Sequence, residues 1–290
     1  MEPPRLFLAK FLPKNNYSAL GGVLYYNKPM RSIDNKKRVI ALFILWPIVA
    51  TLLSFVLKTN ALGSVVLFLI IPSIYLSFLL KKSVKKVLLF SLVTSVPVII
   101  VVDYIAHATK QWLVPNSVFA LRILGLIPLE DIIWAFFSVF CVVMFYEYFL
   151  EPHHETKIWR PRMNVLTAIF IGLLVVFLLC YLLAPSILLI PYAYLWMGIV
   201  VIFIPTIIEI FRKPILLPKL LVVGAYFFYL ELLYELTALK LGWWLFPGSQ
   251  YIGMVSLFGL QFPFEELFFW IMLFAIGILI YYEPFDDDEK

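Results

Sequence analysis

Charge is what this sequence has least of. Asp, Glu, Lys and Arg make up 14% of its 290 residues, against 63% hydrophobic. A soluble domain carries about 25% charged residues, so the composition excludes a water-soluble globular protein and places the chain in a bilayer. Cysteine is scarce as well: Cys141 and Cys180 both lie inside apolar runs, which excludes a disulfide framework and a thiol pair for metal. No Gly-x-Gly-x-x-Gly follows a strand, so no nicotinamide or flavin site is expected. No Asp-rich DDxxD repeat for magnesium-pyrophosphate is present, and no Ser-His-Asp or Cys-His constellation can be read. The formal charge of +5 comes from basic residues between apolar runs, which set topology rather than bind nucleic acid. No metal, cofactor or nucleic-acid partner is therefore expected.

What is present is a succession of apolar runs. Residues 1–38 form a basic arm with eight Lys or Arg and interspersed aromatics. Such an arm reads either as an interfacial anchor on the cytoplasmic face or as a solvated tail, and no cleavable signal peptide is expected in it. Its Asn16-Tyr17-Ser18 sequon has no role on that side. Eight runs follow, near 39–57, 63–80, 87–106, 127–149, 164–183, 188–210, 219–240 and 262–282. Each is about long enough for a ~30 Å hydrocarbon core. Lys and Arg crowd the connections around 81–86, 150–163 and 211–219, while the alternating connections hold only Lys58, Lys110, Arg122 and Lys240. The expectation is an all-α, multi-pass protein of the cell membrane with about eight transmembrane helices and both termini cytoplasmic. The acidic tail, 284–290, is a solvated end.

The chain also repeats itself. Asp103, Trp112 and Pro115 recur at one constant offset as Glu235, Trp244 and Pro247. Pro128-Leu129-Glu130-Asp131 recurs as Pro263-Phe264-Glu265-Glu266, at an offset lengthened slightly by the second linker. Two tandem four-helix repeats, 39–150 and 164–283, are expected, related by a pseudo-two-fold along the membrane normal.

With that topology Asp103, Glu130, Asp131, Glu231, Glu235, Glu265 and Glu266 all fall toward the non-cytoplasmic leaflet. Helix capping explains part of the pattern, since acids are favoured in a first turn and Pro128 and Pro263 suit one. It does not explain Asp103 and Glu235 near helix C-termini, where the dipole opposes them. Intramembrane acids are expensive and mark function. Facing carboxylates in low dielectric share a proton rather than both ionising, which sets a proton donor beside a counter-anion. Trp112, Trp134, Phe136, Phe137, Trp243, Trp244, Phe268, Phe269 and Trp270 surround them. Their faces stabilise a passing cation, although each taken alone fits a membrane-interface belt equally well. His107 is a candidate partner of Asp103, and His153-His154-Glu155 resembles a metal tract by composition alone.

The duplicated Pro-x-Glu-(Glu/Asp) phrase in a membrane chain resembles the membrane-integral lycopene cyclase domain family, in its tandem-fusion form. Pro128, Glu130, Asp131 and Trp134 carry the resemblance in the first half, and Pro263, Glu265, Glu266, Phe268 and Phe269 in the second. It implies a carotenoid-biosynthesis isomerase that closes a ring on a linear polyene without a cofactor. The Glu130/Asp131 and Glu265/Glu266 pairs would supply acid and counter-anion, with Asp103 and Glu235 as orienting or relay groups. Trp112, Trp134, Phe137, Glu231, Trp244, Phe268 and Phe269 would line the substrate. Replacing Glu130 or Glu265 by Gln is then expected to abolish turnover. Relatives of this kind also hydrate carotenoid ends or make C50 rings. The implied partners are a lycopene-like polyene, the lipid bilayer, and a second copy or another carotenoid enzyme. Two rivals remain at this stage: a proton-coupled transporter or flippase, and a structural subunit of another carotenoid enzyme.

Overall fold

The computed structural model describes residues 31–151, 158 and 161–286. Most of the basic arm with its sequon, the His153-His154-Glu155 tract and the end of the acidic tail lie outside the described residues. The chain divides into two units, 1–40 and 41–290. The described part of the first, residues 31–40, is the start of helix α1 (Arg31–Leu57). Everything below concerns the second.

The described chain is mostly helical. Beyond α1 come α2 (Ala61–Leu79), α3 (Val84–Ala108), α4 (Leu129–Phe149), α5 (Pro161–Leu183), α6 (Ala193–Arg212) and α7 (Leu217–Leu241). These seven are long and apolar enough to cross a membrane. A bent pair, α8 (Glu266–Met272) and α9 (Phe274–Asp286), makes an eighth if it is one span; the two helices meet at 45°. The chain is thus a multi-pass membrane protein whose helices follow the eight expected runs.

The structure adds two features that an all-α expectation omits. The first is a pair of short hairpins. Strands β1 (Arg122–Ile123) and β2 (Ile127–Pro128) precede α4; β3 (Met254–Leu257) and β4 (Leu260–Pro263) precede α8. Both turns place two successive residues in the left-handed region, Leu124-Gly125 (φ 52° and 77°) and Phe258-Gly259 (φ 51° and 77°). That geometry matches the twist of the flanking strands and requires glycine at its second position.

The second feature is local widening of the helices. A π-turn at Val66–Ile70 stands just before Pro72, and another at Gly198–Phe203 just before Pro205. Proline lacks an N–H and its ring clashes with the carbonyl four residues back, so the preceding turn opens. At Gly198 the widening admits a neighbour: a Cβ there would stand 2.3 Å from the Phe269 ring. α8 is itself a π-turn. The hairpins, proline-linked π-turns and acid-bearing helix starts therefore recur in the same order in both halves of the chain.

Burial sorts the helices. α4 is buried from Ser138 to Glu147 with no exposed face, as a central helix must be. α5 buries only Met163, Leu166, Phe170 and Phe177, a single stripe at helical spacing, and leaves the rest outward. At the end of α4 opposite the hairpins, the buried Glu147 accepts from Lys86 Nζ at 2.7 Å, Ser83 Oγ at 2.8 Å and Tyr282 O–H at 2.5 Å. Lys86 also sits over the Tyr282 ring, 5.5 Å from its centroid. These contacts tie α3, α4 and α9 together. Removing the cation alone leaves a buried anion uncompensated, so Lys86→Met should cost about 3–5 kcal/mol. The double variant Lys86→Met/Glu147→Met should recover much of that loss. Thermal unfolding of the three proteins in one detergent checks the cycle.

Candidate functional site

The site is built where two pairs of helices meet at the hairpin end. α3 ends and α4 begins there, as do α7 and α8. The segments leaving α3 and α7 pair reciprocally: Leu113 N–H donates to Leu245 O at 3.0 Å, and Leu245 N–H to Leu113 O at 2.9 Å. These partners occupy matching positions of the two halves, and the rings of Trp112 and Trp244 beside them lie 6.1 Å apart. Gln111 fastens the same seam. Its Oε1 accepts from Tyr194 N–H at 2.6 Å, and its carbonyl accepts from Tyr251 O–H at 2.6 Å. Burial pushes the Tyr251 phenol up to about 12, so it remains a donor at physiological pH.

Below this seam lies a cavity. Asp103, Glu130, Asp131, Glu231, Glu235 and Glu266 line it, and every one of these residues is buried. Trp112, Trp134, Tyr194, Tyr234, Trp244 and Trp270 supply aromatic walls. No Lys, Arg or His is among the lining residues. Arg122, the cation of the adjacent hairpin, is bound to the carbonyls of Leu126 (2.9 Å) and Val114 (2.8 Å).

A second cavity adjoins the first, sharing Ile99, Val102, Trp134 and Trp270. Its wall on α3 runs from Val102 back to Phe90, which is about 18 Å of helix axis. Ala135, Val139, Phe170, Phe274 and Ile278 continue it, and it exposes no polar surface. An acidic chamber at one level of the bundle thus opens beside an apolar slot running toward the opposite end.

The adjacent acids in each helix start do different things. Glu130 borders the chamber, but its carboxylate faces the loop: Ser117 Oγ donates at 2.8 and 2.9 Å, Phe119 N–H at 3.1 Å, and Val118 N–H as well. Glu265 lies outside the lining and accepts Ile252 N–H at 2.7 Å. Neighbouring residues in a helix point about 100° apart, so Asp131 and Glu266 turn into the chamber while Glu130 and Glu265 anchor the loops. Asp131 and Asp103 both line the chamber. Glu266 accepts the Tyr194 hydroxyl. Glu235 accepts Trp244 Nε1–H at 3.0 and 3.1 Å. Asp103 Oδ2, Asp131 Oδ2, Glu231 Oε1, Trp134 Nε1 and Trp270 Nε1 are buried without a protein partner.

Of the residues expected from the sequence, the chamber brings together Asp103, Asp131, Glu231, Glu235, Glu266, Trp112, Trp134 and Trp244, with Glu130 at its border. Phe137, Phe268 and Phe269 lie outside both linings. Phe137 packs on Phe136 and Phe140, Phe268 stacks on Phe264, and Phe269 fills the notch at Gly198. His107 meets Asp103 through the backbone, with Nδ1 2.9 Å from Asp103 O, rather than through the carboxylate. Tyr194 and Tyr234 were not expected. They stand in apolar runs where an aromatic reads as core, and nothing local marks them. Among the described residues no group of three His, Cys, Asp or Glu could hold a metal ion.

The loop-anchoring role of the first acids has a measurable consequence. Glu130→Ala frees two backbone N–H groups and a hydroxyl from a charged acceptor, and should lower stability by about 1.5–3 kcal/mol. Glu265→Ala, with one such donor, should cost less, and thermal unfolding of both variants checks the order. No family model, no curated protein and no solved structure matches the chain.

Proposed function

We propose that the protein is a carotenoid-biosynthesis enzyme of the lycopene cyclase type, closing a ring on the end of a linear polyene by proton transfer. The observation that carries the reading is the pairing of the two cavities. A polyene has one reacting end and a long apolar remainder. The acidic, aromatic-walled chamber fits the first and the contiguous apolar slot fits the second. The duplicated Pro-x-Glu-(Glu/Asp) phrase supports the same reading, because its second acids, Asp131 and Glu266, are the ones facing the chamber.

The chemistry is redox-neutral. A carboxylic acid gives its proton to the terminal double bond, forming a C–H bond and a tertiary cation. The internal double bond attacks that cation, a C–C bond closes the six-membered ring, and the positive charge moves into the ring. A carboxylate then removes a ring proton to leave a C=C bond, so the formula is unchanged. Preorganised anions and aromatic faces stabilise the cation. The apolar slot keeps water from trapping it. In this reading the chemical roles fall to Asp103, Asp131, Glu235 and Glu266, with Glu130 and Glu265 holding the loops that close the chamber. The recurrence of hairpins and π-turns supports a duplicated unit of four helices. The acids then face the non-cytoplasmic leaflet of the cell membrane, as the distribution of Lys and Arg suggests.

Expression in a colourless host that accumulates lycopene should yield a pigment of unchanged mass and shortened absorption, resolved by chromatography with mass detection. A gain of one water in the product would replace cyclase with hydratase. Unchanged lycopene beside well-inserted protein would contradict the reading. Proteoliposome uptake driven by a pH gradient, without pigment chemistry, would replace it with the transporter. The slot gives a second test. Ala135→Phe fills it away from the acids and should reduce conversion of the full-length polyene more than that of a truncated one carrying the same end group.

A further inference from the structure

The two halves of the chain meet the apolar slot unequally. Thr94 and Ser95 on α3 line it, and the offset that relates Asp103 to Glu235 carries them to Tyr226 and Phe227 on α7. The hydroxyls of Thr94 and Ser95 turn back to their own helix, donating to Phe90 O at 2.8 Å and to Ser91 O at 2.7 Å. A hydroxyl bonded to the carbonyl one turn back leaves only a short, non-polar flank to face outward. Two polar residues can therefore line a slot that exposes no polar surface.

On α7 the matching positions are filled. The Tyr226 ring stacks on Phe145 with centroids 4.5 Å apart, and Phe227 meets Phe145 edge-on at 5.5 Å. Phe43 of α1 closes the group, its ring 6.0 Å from that of Tyr226 and its carbonyl accepting the Tyr226 hydroxyl at 3.3 Å. Two further positions differ in the same sense. Ile99 and Val102 line both the slot and the chamber, whereas their counterparts Glu231 and Tyr234 line the chamber alone. Tyr234 O–H stands 3.1 Å from Ser64 Oγ, and its ring lies 4.8 Å from that of Phe68. Glu231, 5% exposed, keeps Oε1 without a protein partner at the chamber wall. The way out of the chamber is thus open and apolar along α3, and packed along α7.

We infer that Thr94 and Ser95 are specificity-determining residues: their small side chains admit the apolar remainder of the polyene along α3, while Tyr226 and Phe227 fill the equivalent path along α7. The chain then holds one polyene in one orientation, with one end group in the chamber at a time. The inference rests on the polyene reading for its ligand. The selection is steric. A protein interior is close-packed, so an aromatic ring introduced at Thr94 or Ser95 has only the slot itself to occupy.

Native mass spectrometry of the full chain, purified in mild detergent from a host that accumulates lycopene, counts the polyenes bound. Ring closure leaves the mass unchanged, so the count does not depend on turnover, which pigment chromatography of the same cells reads separately. The wild type should carry one polyene per chain. Thr94→Tyr/Ser95→Phe, which installs the α7 residues on α3, should lower occupancy by about tenfold or more. Ser95→Leu should act in the same direction, and carries the test if gel filtration shows that the double variant does not fold. Occupancy equal to wild type in either folded variant would overturn the inference, and so would a wild type that carries two polyenes or none. A wild type that carries one polyene and does not convert it sinks the cyclase reading and leaves the slot assignment standing.

Discussion

A carboxylate inside a bundle of apolar helices has no water to solvate it, so each acid oxygen must find a donor, share a proton or stand on a cavity. That constraint organises the hairpin end of this protein. Glu130 meets it by drawing in the backbone N–H groups of Val118 and Phe119, and Glu265 meets it at one oxygen only, through Ile252 N–H. Glu235 and Glu266 meet it with Trp244 and Tyr194. Asp103 and Asp131 meet it by standing on the cavity. The loops, the hairpins and the reciprocal Leu113–Leu245 pair are the means by which those partners are delivered. At the opposite end of the bundle the same constraint is met by Lys86, Ser83 and Tyr282 around Glu147 and by Arg212 beside Glu209.

The consequence is a chamber whose polar atoms are only partly satisfied, beside a slot with no polar surface. Unpaired buried oxygens destabilise a protein and persist where function needs them. Three of them, Asp103 Oδ2, Asp131 Oδ2 and Glu231 Oε1, belong to residues that line the one chamber, which helix capping alone does not explain. The two halves share a framework of hairpin, π-turn and acid-bearing helix start, but they do not carry the same acids. Ile99 in the first half answers to Glu231 in the second, at the same offset that relates Asp103 to Glu235, so the chamber holds an acid with no counterpart.

Much of this was legible in the sequence, because hydrocarbon imposes strong rules. Long apolar runs give the helices, and acids inside them stand out against a background almost free of charge. The chamber residues Asp103, Asp131, Glu235 and Glu266 were visible for that reason. Which member of each adjacent pair faces inward was not. Glu130 and Asp131 differ by about 100° around a helix, and the loop path that captures Glu130 is set by Ser117 and a hairpin far from it in local pattern. The hairpins escaped notice because Leu124-Gly125 and Phe258-Gly259 lack the Asn-Gly or Asp-Gly signature of such turns. The π-turns lie just before Pro72 and Pro205, since a proline inside a span opens the turn before it. Tyr194 carried no mark at all, because its significance arises only when α6 packs against α8.

The central claim is that a carboxyl proton is added to a polyene carbon and another proton is lost, with no change of oxidation state. Incubating purified protein with lycopene in deuterated water, then weighing the product, tests this directly. The account predicts one deuterium incorporated per ring formed, in a product otherwise of the same formula as the substrate. A cyclic product without deuterium, or one whose formula differs by oxygen or by two hydrogens, would contradict it.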